Sequence, residues 1–111
     1  MSRGFIPSVR LGNQQSEMIL HVAAARDRGF SISRDMPGRY NTARIVAILE
    51  SLVKRGLSRA VGLAGSTISP ATIAARTTWH LTDQGRVAAA EQKVIAAEKQ
   101  LDAAMRDLVD A

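Results

Sequence analysis

The sequence has no cysteine and only four aromatic residues, and each shortage narrows what the chain can be. Without cysteine there is no disulfide framework, no thiolate metal site and no thiol nucleophile. With so few aromatic side chains, alanine and the aliphatic residues must build the core, which favours helices over a sheet-rich fold. No apolar run is long enough for a signal peptide or a membrane span, so we expect a soluble, cytoplasmic protein without a membrane partner.

Acidic residues are scarce in the first half of the chain. Residues 1–60 carry nine arginines and one lysine against four acids, a net charge of +6, whereas residues 61–111 carry five bases and six acids. The surplus is almost entirely arginine, whose planar guanidinium donates two parallel hydrogen bonds to a phosphate or a guanine. This distribution predicts double-stranded DNA as a partner. The alternative is a basic face that only keeps the protein soluble.

Catalytic and metal-binding patterns are missing as well. The two histidines, His21 and His80, are far apart in sequence and lack the i, i+4 spacing of a helical metal site. No nucleophile, base and orienting group stand in a plausible arrangement. The stretch TTWHLTDQGR (77–86) holds the only tryptophan with a histidine and an aspartate, but it is better explained as a strand that leads into a helix cap. We therefore predict a protein that is not an enzyme and uses no metal or cofactor.

The start of the chain shows little regular structure. Residues 1–15 lack periodicity and are predicted to form a flexible arm. A helix follows over about residues 17–28, with Ser16 as its N-cap. The segment FSIS (30–33) can form no more than a single strand pair, and SRDMPG (33–38) can form one helical turn before its proline and glycine end it.

The clearest element is the helix predicted for NTARIVAILESLVKRG, with Asn41 or Thr42 as its cap and a glycine as its stop. Two strand-like segments follow, LSRAV (57–61) and RTTWHL (76–81), in which β-branched and aromatic residues alternate. The uncharged stretch between them, GLAGSTISPATIAA, is predicted to be the long, soft tip of a hairpin. These elements make a mainly α chain with a small β-hairpin, an α+β fold.

From Thr82 onwards the apolar pattern repeats every seven residues. Branched residues and alanines alternate along one stripe, here called the heptad seam: Val87, Ala90, Val94, Ala97, Leu101, Ala104 and Leu108. We predict that residues 83–111 form a long helix, capped by Thr82 or Asp83, that pairs with a second copy of the chain. A parallel pair, joining Arg86 to the partner's Glu91, and an antiparallel pair both fit the sequence. The alternative is that the seam packs against the chain's own first helix.

The order of these elements is that of a winged helix-turn-helix domain, over residues 16–82. In addition, LESLVKRGLSRA followed by TTWHLTDQGR resembles the winged-helix bacterial transcriptional regulators of the MarR and PadR type. In that family the recognition helix typically leads into the pattern L…L…+GL…R, in which + is a basic residue. The second wing strand typically leads into the pattern LT..GR. The match covers about residues 16–90, most specifically 49–59 and 79–86. The resemblance implies a homodimeric regulator that places the helix beginning near Asn41 in the major groove.

A DNA-binding site is predicted at the start of this helix. Its free N–H groups and partial positive charge favour a phosphate, and asparagine and arginine can read adenine and guanine. Basic residues further along would contact phosphate and position the protein. The predicted site residues are Arg39, Tyr40, Asn41, Thr42, Arg44, Ser51, Arg55, Arg59 and Arg76. Two alternatives remain open: Tyr40 as a hydrophobic staple, and Arg34 or Arg39 in an ion pair with Asp35.

The leading hypothesis is thus a small homodimeric DNA-binding protein, a transcriptional regulator of bacterial or phage type. One alternative is a winged-helix module that binds a protein partner, which the lack of lysine and arginine in the hairpin tip favours. The other is a helical scaffold that assembles through the heptad seam.

Overall fold

The computed structural model describes residues 7–36, 41–62 and 69–110. In chain order the elements are α1 (Asn13–Ala25), α2 (Ile32–Asp35), α3 (Thr42–Lys54), β1 (Ser58–Gly62), α4 (Pro70–Arg76), β2 (Thr77–Leu81) and α5 (Asp83–Asp110). The chain is mainly helical, with a small antiparallel sheet and a long C-terminal helix. The predicted α+β class is therefore confirmed.

The helix α1 begins three residues before the predicted cap. Gly12 is its N-cap, and the Ser16 N–H donates to the Gly12 carbonyl at 2.9 Å as part of the helix, so the prediction of Ser16 as the cap is wrong. The Gln15 side-chain oxygen reaches back to the Gly12 N–H at 3.4 Å. A glutamine at the third helical position thus satisfies the cap's own N–H, as in a capping box.

The described part of the predicted arm is attached to the rest of the chain. Val9 and Leu11 are half-buried against the core. Ser8 donates to the Glu91 carboxylate of α5 twice, from its N–H (2.6 Å) and from Oγ (2.8 Å). Residues 7–12 are therefore held along the surface between α1 and α5, and the last three residues of the predicted arm belong to α1 itself.

The helix predicted to reach residue 28 ends at Ala25, and residues Arg26–Arg28 form a 3-10 turn. Between this turn and α3 the chain makes one bridge and one helical turn. Phe30 and Trp79 exchange backbone hydrogen bonds of 2.9 Å in both directions, which ties the segment after α1 to β2. The predicted strand pair is confined to Phe30, because α2 starts at Ile32. The one-turn helix is confirmed, although it starts a residue earlier than predicted and ends at Asp35.

The Asp35 carboxylate is the centre of a cluster of polar groups around α2. Its carboxylate accepts hydrogen bonds from the Ser31 N–H (2.9 Å) and from the Arg34 guanidinium (2.9 Å), and Arg28 forms a 3.3 Å ion pair with it. The hydrogen bond from Arg34 is the largest cause that holds the pKa of Asp35 below its ordinary value, while burial acts in the opposite direction. The predicted ion pair is thus confirmed for Arg34, and Arg39 lies outside the described residues.

The helix α3 has the predicted cap and the predicted stop. The Asn41 side chain accepts from the Arg44 N–H at 3.3 Å. At the other end Gly56 has a positive φ of 75°, and its N–H donates to the Val53 carbonyl (2.9 Å) while the Leu57 N–H donates to the Leu52 carbonyl (3.0 Å). This pair of bonds is a Schellman motif, which needs a residue without Cβ strain at its left-handed position.

The two strands confirm the predicted hairpin, but the segment between them is only partly loop. β1 and β2 are antiparallel, with Ala60 opposite Trp79. Residues 70–76 form α4, whose cap Ser69 accepts from the Thr72 N–H at 3.3 Å. Ile73 of this helix is buried, and α4 packs on α2 and α3. The prediction of a soft tip is wrong here because the one-turn α2 leaves the core uncovered and α4 covers it; residues 63–68 lie outside the described residues.

The helix α5 has two faces with different surroundings. Its 28 residues span about 42 Å. One face lies against the body of the chain and buries Ala88, Ala89 and Gln92. The heptad seam lies on the opposite side of the helix and is exposed, with 50% exposure at Leu101 and 78% at Leu108. The seam therefore does not pack on the chain's own first helix, which meets the other face instead.

Candidate nucleic-acid interface

The N-terminal end of α3 presents polar groups to solvent. Asn41 and Arg44 are exposed and Thr42 is half-buried. The guanidinium of Arg44 lies against the Gln14 side chain, whose oxygen accepts from Nε at 3.1 Å when it faces the arginine. Arg39 and Tyr40, also predicted to contact DNA, lie outside the described residues. Three of the predicted site residues are thus grouped at one helix end.

Along α3, the side that points away from the core forms an outward ridge. We use this name for four exposed residues at helical spacing: Ala43, Ala47, Glu50 and Lys54. The two alanines leave room for another molecule to approach the helix backbone, and Glu50 and Lys54 are neighbours at i, i+4. Sequence analysis missed this ridge because it selected residues by their ability to bind phosphate or bases. The burial pattern of α3 identifies the ridge directly.

Two predicted DNA contacts, Ser51 and Arg55, form hydrogen bonds with other residues of the chain. Arg55 donates to the Gln15 side-chain oxygen (2.8 Å) and to the Arg10 carbonyl (2.6 Å). The Gln15 amide in turn donates to Ser51 Oγ at 2.9 Å, and this hydroxyl donates to the Ile48 carbonyl at 2.5 Å. We call Gln15, Ser51 and Arg55 the polar clasp. It holds the first turn of α1 against one flank of α3.

The two remaining predicted contacts lie away from the start of α3. Arg76 is exposed at the last residue of α4. Arg59 is exposed on β1, next in sequence to the buried Ser58, so it lies on the sheet face that is turned away from the core. The structure therefore does not bring Arg59 together with Arg44.

Arg59 instead lines an open cleft of about 640 Å³ between the end of α1, the sheet and the first turns of α5. Cationic and imidazole side chains from four elements surround this basic cleft: Arg26, Arg59, His80, Arg86 and Lys93. One acid, Asp27, also lines it. The sequence did not indicate the cleft, because its lining residues are up to 71 positions apart and form no local pattern.

The backbone beside the cleft is unusual at two positions. Gly29 has a φ of 80°, and a Cβ there would lie 2.7 Å from the ring atoms of His80, which is half-buried over it. Gly29 therefore shields part of the His80 side chain from solvent, although this residue lies on a strand. Arg26 has a φ of 56° and is the one non-glycine residue with positive φ in the described part of the chain. Such a conformation costs on the order of 1–3 kcal/mol and is typical of ligand sites.

The two sequence segments that carry the family resemblance are in contact in the structure. Thr82 Oγ1 donates to the Gly56 carbonyl (2.6 Å) and accepts from the Gly85 N–H (3.1 Å), which confirms Thr82 as the cap of α5. The Thr82 N–H donates to the Leu57 carbonyl at 3.1 Å. A Cβ at Gly85 would lie 1.8 Å from the same Leu57 oxygen. Gly56, Leu57, Thr82 and Gly85 thus form a structural joint between α3 and α5, and the resemblance rests on residues that fix the fold.

Other classes of site find no support in the described residues. They contain no group of three or more His, Asp or Glu side chains that could hold a metal ion. Within the same ranges, no helix is long and apolar enough to cross a membrane. Comparisons of the chain with protein-family models, with curated proteins and with solved structures found no match.

Proposed function

We propose that this chain is a small homodimeric DNA-binding protein with a winged helix-turn-helix domain, a transcriptional regulator of bacterial or phage type. In this proposal α3 is the recognition helix and enters the major groove. The observation that carries it is the exposed outer side of α3, with the exposed Asn41 and Arg44 at its N-terminal end, in a basic half of the chain. The order α1, α2, α3 and two antiparallel strands, with Phe30 bridging to the second strand, supports it further.

The outward ridge gives the proposal a concrete chemistry. Alanine side chains such as Ala43 and Ala47 allow close approach and can contact a thymine methyl group. Glu50 can accept from the amino group of cytosine, and Lys54 can contact phosphate. At the start of the helix, Asn41 can hydrogen-bond to an adenine and Arg44 to a guanine. Ser51 and Arg55 then stabilise the recognition helix through the polar clasp instead of contacting DNA.

The exposed heptad seam supports the dimeric part of the proposal. Four branched side chains repeat along α5 without contact to the core, which is the pattern of a helix that pairs with another helix. Both carboxylate oxygens of Glu91 already accept a hydrogen bond from Ser8, so an ion pair with Arg86 of a second copy would have to share this carboxylate. We therefore expect the apolar seam, and not the flanking charges, to hold the dimer. A dimer structure should show the two α3 helices about 34 Å apart.

Fluorescence anisotropy with a labelled duplex of random sequence tests the proposal. The full chain should bind at low salt, and its affinity should fall steeply between about 50 and about 200 mM salt as counterions are released. After selection of a preferred sequence, Arg44→Ala should lose about 1–3 kcal/mol on it and relax the base preference. Arg106→Ala, which removes the same charge near the far end of α5, is the matched control. Absence of binding at low salt, or equal losses for both variants, contradicts the proposal.

A second candidate function is a winged-helix module that binds a protein. The composition of the outward ridge favours it, because two alanines, one glutamate and one lysine form a nearly neutral surface. Substitution of Ala47 by glutamate separates the two candidates. If α3 enters the major groove, the new carboxylate should weaken DNA binding, because it places a negative charge and a larger side chain where the helix approaches the DNA. DNA binding that is insensitive to Ala47→Glu would mean that α3 is not the reading element.

A further inference from the structure

The basic cleft has the dimensions and walls of a small-molecule site. Its volume of about 640 Å³ lies within the range of clefts that hold small ligands. Regular elements form its walls: the end of α1, the outer face of the sheet, and the first three turns of α5. Apolar side chains cover part of its surface: Val22, Ala23, Leu81, Ala89 and Ala90. A ligand would therefore meet fixed walls and a partly apolar floor.

The charges around the cleft are unbalanced. Four cations and one acid give it a net charge of +3 with His80 neutral. The side chains of Arg26, Arg59 and Lys93 form no hydrogen bond or ion pair within the described residues, and the Arg86 side chain pairs only with the fully exposed Asp83 at 3.4 Å. Like charges gathered around one cleft repel each other, and an anion between them removes that repulsion. We propose that the basic cleft binds a phosphorylated small molecule that carries two or three negative charges.

The side chains that line the basic cleft indicate the chemical class of its ligand. Three of the cations are arginines, whose planar forks match the oxygens of a phosphate bidentately, and Lys93 adds a point charge. A single carboxylate would neutralise only a third of the excess, whereas a phosphate ester or a pyrophosphate group neutralises two thirds or all of it. The apolar floor is suited to the organic part of such a molecule. The positive φ of Arg26 fixes one of the arginines at the turn that ends α1.

The phosphate of a nucleic-acid backbone has the same chemistry, but the position of the cleft favours a free small molecule. Arg59 lies on the sheet face turned away from the core, and the lining residues come from α1, the turn after it, the sheet and α5. No residue of α3 lines the cleft. The inference thus does not rest on the proposed DNA binding, and either can fail alone.

Calorimetric titration of the full chain with sodium pyrophosphate, in metal-free buffer of constant ionic strength, tests the inference. The wild-type chain should bind one equivalent. Arg59→Gln and Lys93→Gln should each weaken the affinity about tenfold or more, as expected for a lost hydrogen bond to a charged group. Lys99→Gln is the matched control, because it removes the same charge from an exposed position of α5 outside the cleft and should change the affinity less than about twofold. Both cleft side chains are exposed, so the variants should fold; if one does not, the other carries the test.

Three outcomes overturn the inference. The first is no heat of binding at millimolar pyrophosphate, and the second is an equal loss for Lys93→Gln and Lys99→Gln, which would mean attraction by net charge alone. The third is displacement of pyrophosphate by duplex DNA, together with a loss of affinity for pyrophosphate and for DNA in the cleft variants. This result would mean that the cleft contacts the phosphate backbone of DNA. Arg44→Ala should leave pyrophosphate binding unchanged. A chain that binds pyrophosphate through the cleft but binds no DNA supports the inference and contradicts only the proposed function.

Discussion

Gln15 and Ser51, which are 36 positions apart in sequence, are joined by a 2.9 Å hydrogen bond between the first turn of α1 and the last turn of α3. The same glutamine accepts from Arg55 at 2.8 Å. Because one flank of α3 is occupied in this way and α4 covers the other, the exposed side chains of the helix lie at its N-terminal end, along its outward ridge and at Val53. A partly buried polar contact therefore determines which surface of α3 is available to a partner.

The first prediction concerns this contact. Gln15→Ala should lower the free energy of unfolding by about 1 kcal/mol, because it removes the partner of Ser51 and Arg55 at a half-buried position. Chemical denaturation measures the change. Gln100→Ala, the same substitution on an exposed part of α5, should change it by less than about 0.5 kcal/mol. Equal effects of the two substitutions would show that the polar clasp contributes nothing.

The second prediction concerns Gly85. A Cβ at this position would lie 1.8 Å from the Leu57 carbonyl oxygen, so Gly85→Ala must displace α5 or the end of α3. We expect a loss of about 3 kcal/mol in thermal or chemical unfolding, although alanine is the better helix former. Gly12→Ala is the control, since a Cβ there meets nothing within 4 Å and the substitution should cost only the loss of a better N-cap residue, less than about 1 kcal/mol. A stable Gly85→Ala chain would contradict the geometry of the joint.

The third prediction concerns the heptad seam. If the chain forms the proposed dimer, Leu101→Glu should convert it to a monomer, because it places a charge in the centre of the proposed apolar contact, and light scattering measures the mass. The isolated chain should keep its fold, since half of the Leu101 side chain is exposed in it. The neighbouring Gln100→Glu adds the same charge beside the seam and should leave the dimer intact. If neither variant changes the mass, the seam does not mediate association.

The fourth prediction concerns pH. The pKa of Asp35 is lowered in the folded chain, chiefly by the hydrogen bond from Arg34, so this carboxylate stabilises the fold only while it is ionised. Its contribution is present in full above the unfolded value of about 3.9 and is lost as the pH falls through the lower folded pKa. Asp35→Asn should therefore lower the stability by about 1 kcal/mol at neutral pH and by less in acid. Urea denaturation over a pH series measures this difference.

The exposed Asp107 provides the control for that series. Asp107→Asn removes the same charge from a position with no hydrogen-bonded neighbour among the described residues. Its effect on the free energy of unfolding should be small. A pH profile for Asp35→Asn that runs parallel to the control would mean that Arg34 and Ser31 do not stabilise the ionised carboxylate.

Much of the fold was accessible from sequence because its signals are local. α3 has a side-chain cap, a helical repeat of apolar residues and a stop glycine within sixteen positions, and the two strands alternate in the usual way. α4 was missed although Ser69 and Pro70 form a regular helix start, because the surrounding glycines and serines suggested a loop. The start of α1 was missed because a glycine takes the place of the expected serine cap.

The candidate site was less accessible, because its decisive contacts are long-range. The residue types at the start of α3 indicated which groups could meet DNA, and of these Asn41 and Arg44 are exposed. Ser51 and Arg55 have equally suitable side chains, but their partners Gln15 and Arg10 are 36 and 45 positions away. The basic cleft is a stronger case of the same kind: the sequence predicted that β1 and β2 pair, but it did not show that the end of α1 and the first turns of α5 would form a cleft with them.

The opposite faces of α5 restrict how this protein can change its length. Insertion of a single residue after Gln92 would rotate every later residue by about 100° about the helix axis. The body would keep its contacts, but the second half of the heptad seam would point away from the first. Seven residues restore the direction to within about 20°. Related chains with a shorter or longer α5 should therefore differ from this one by whole blocks of seven residues, whereas the loops that join the other elements can vary one residue at a time.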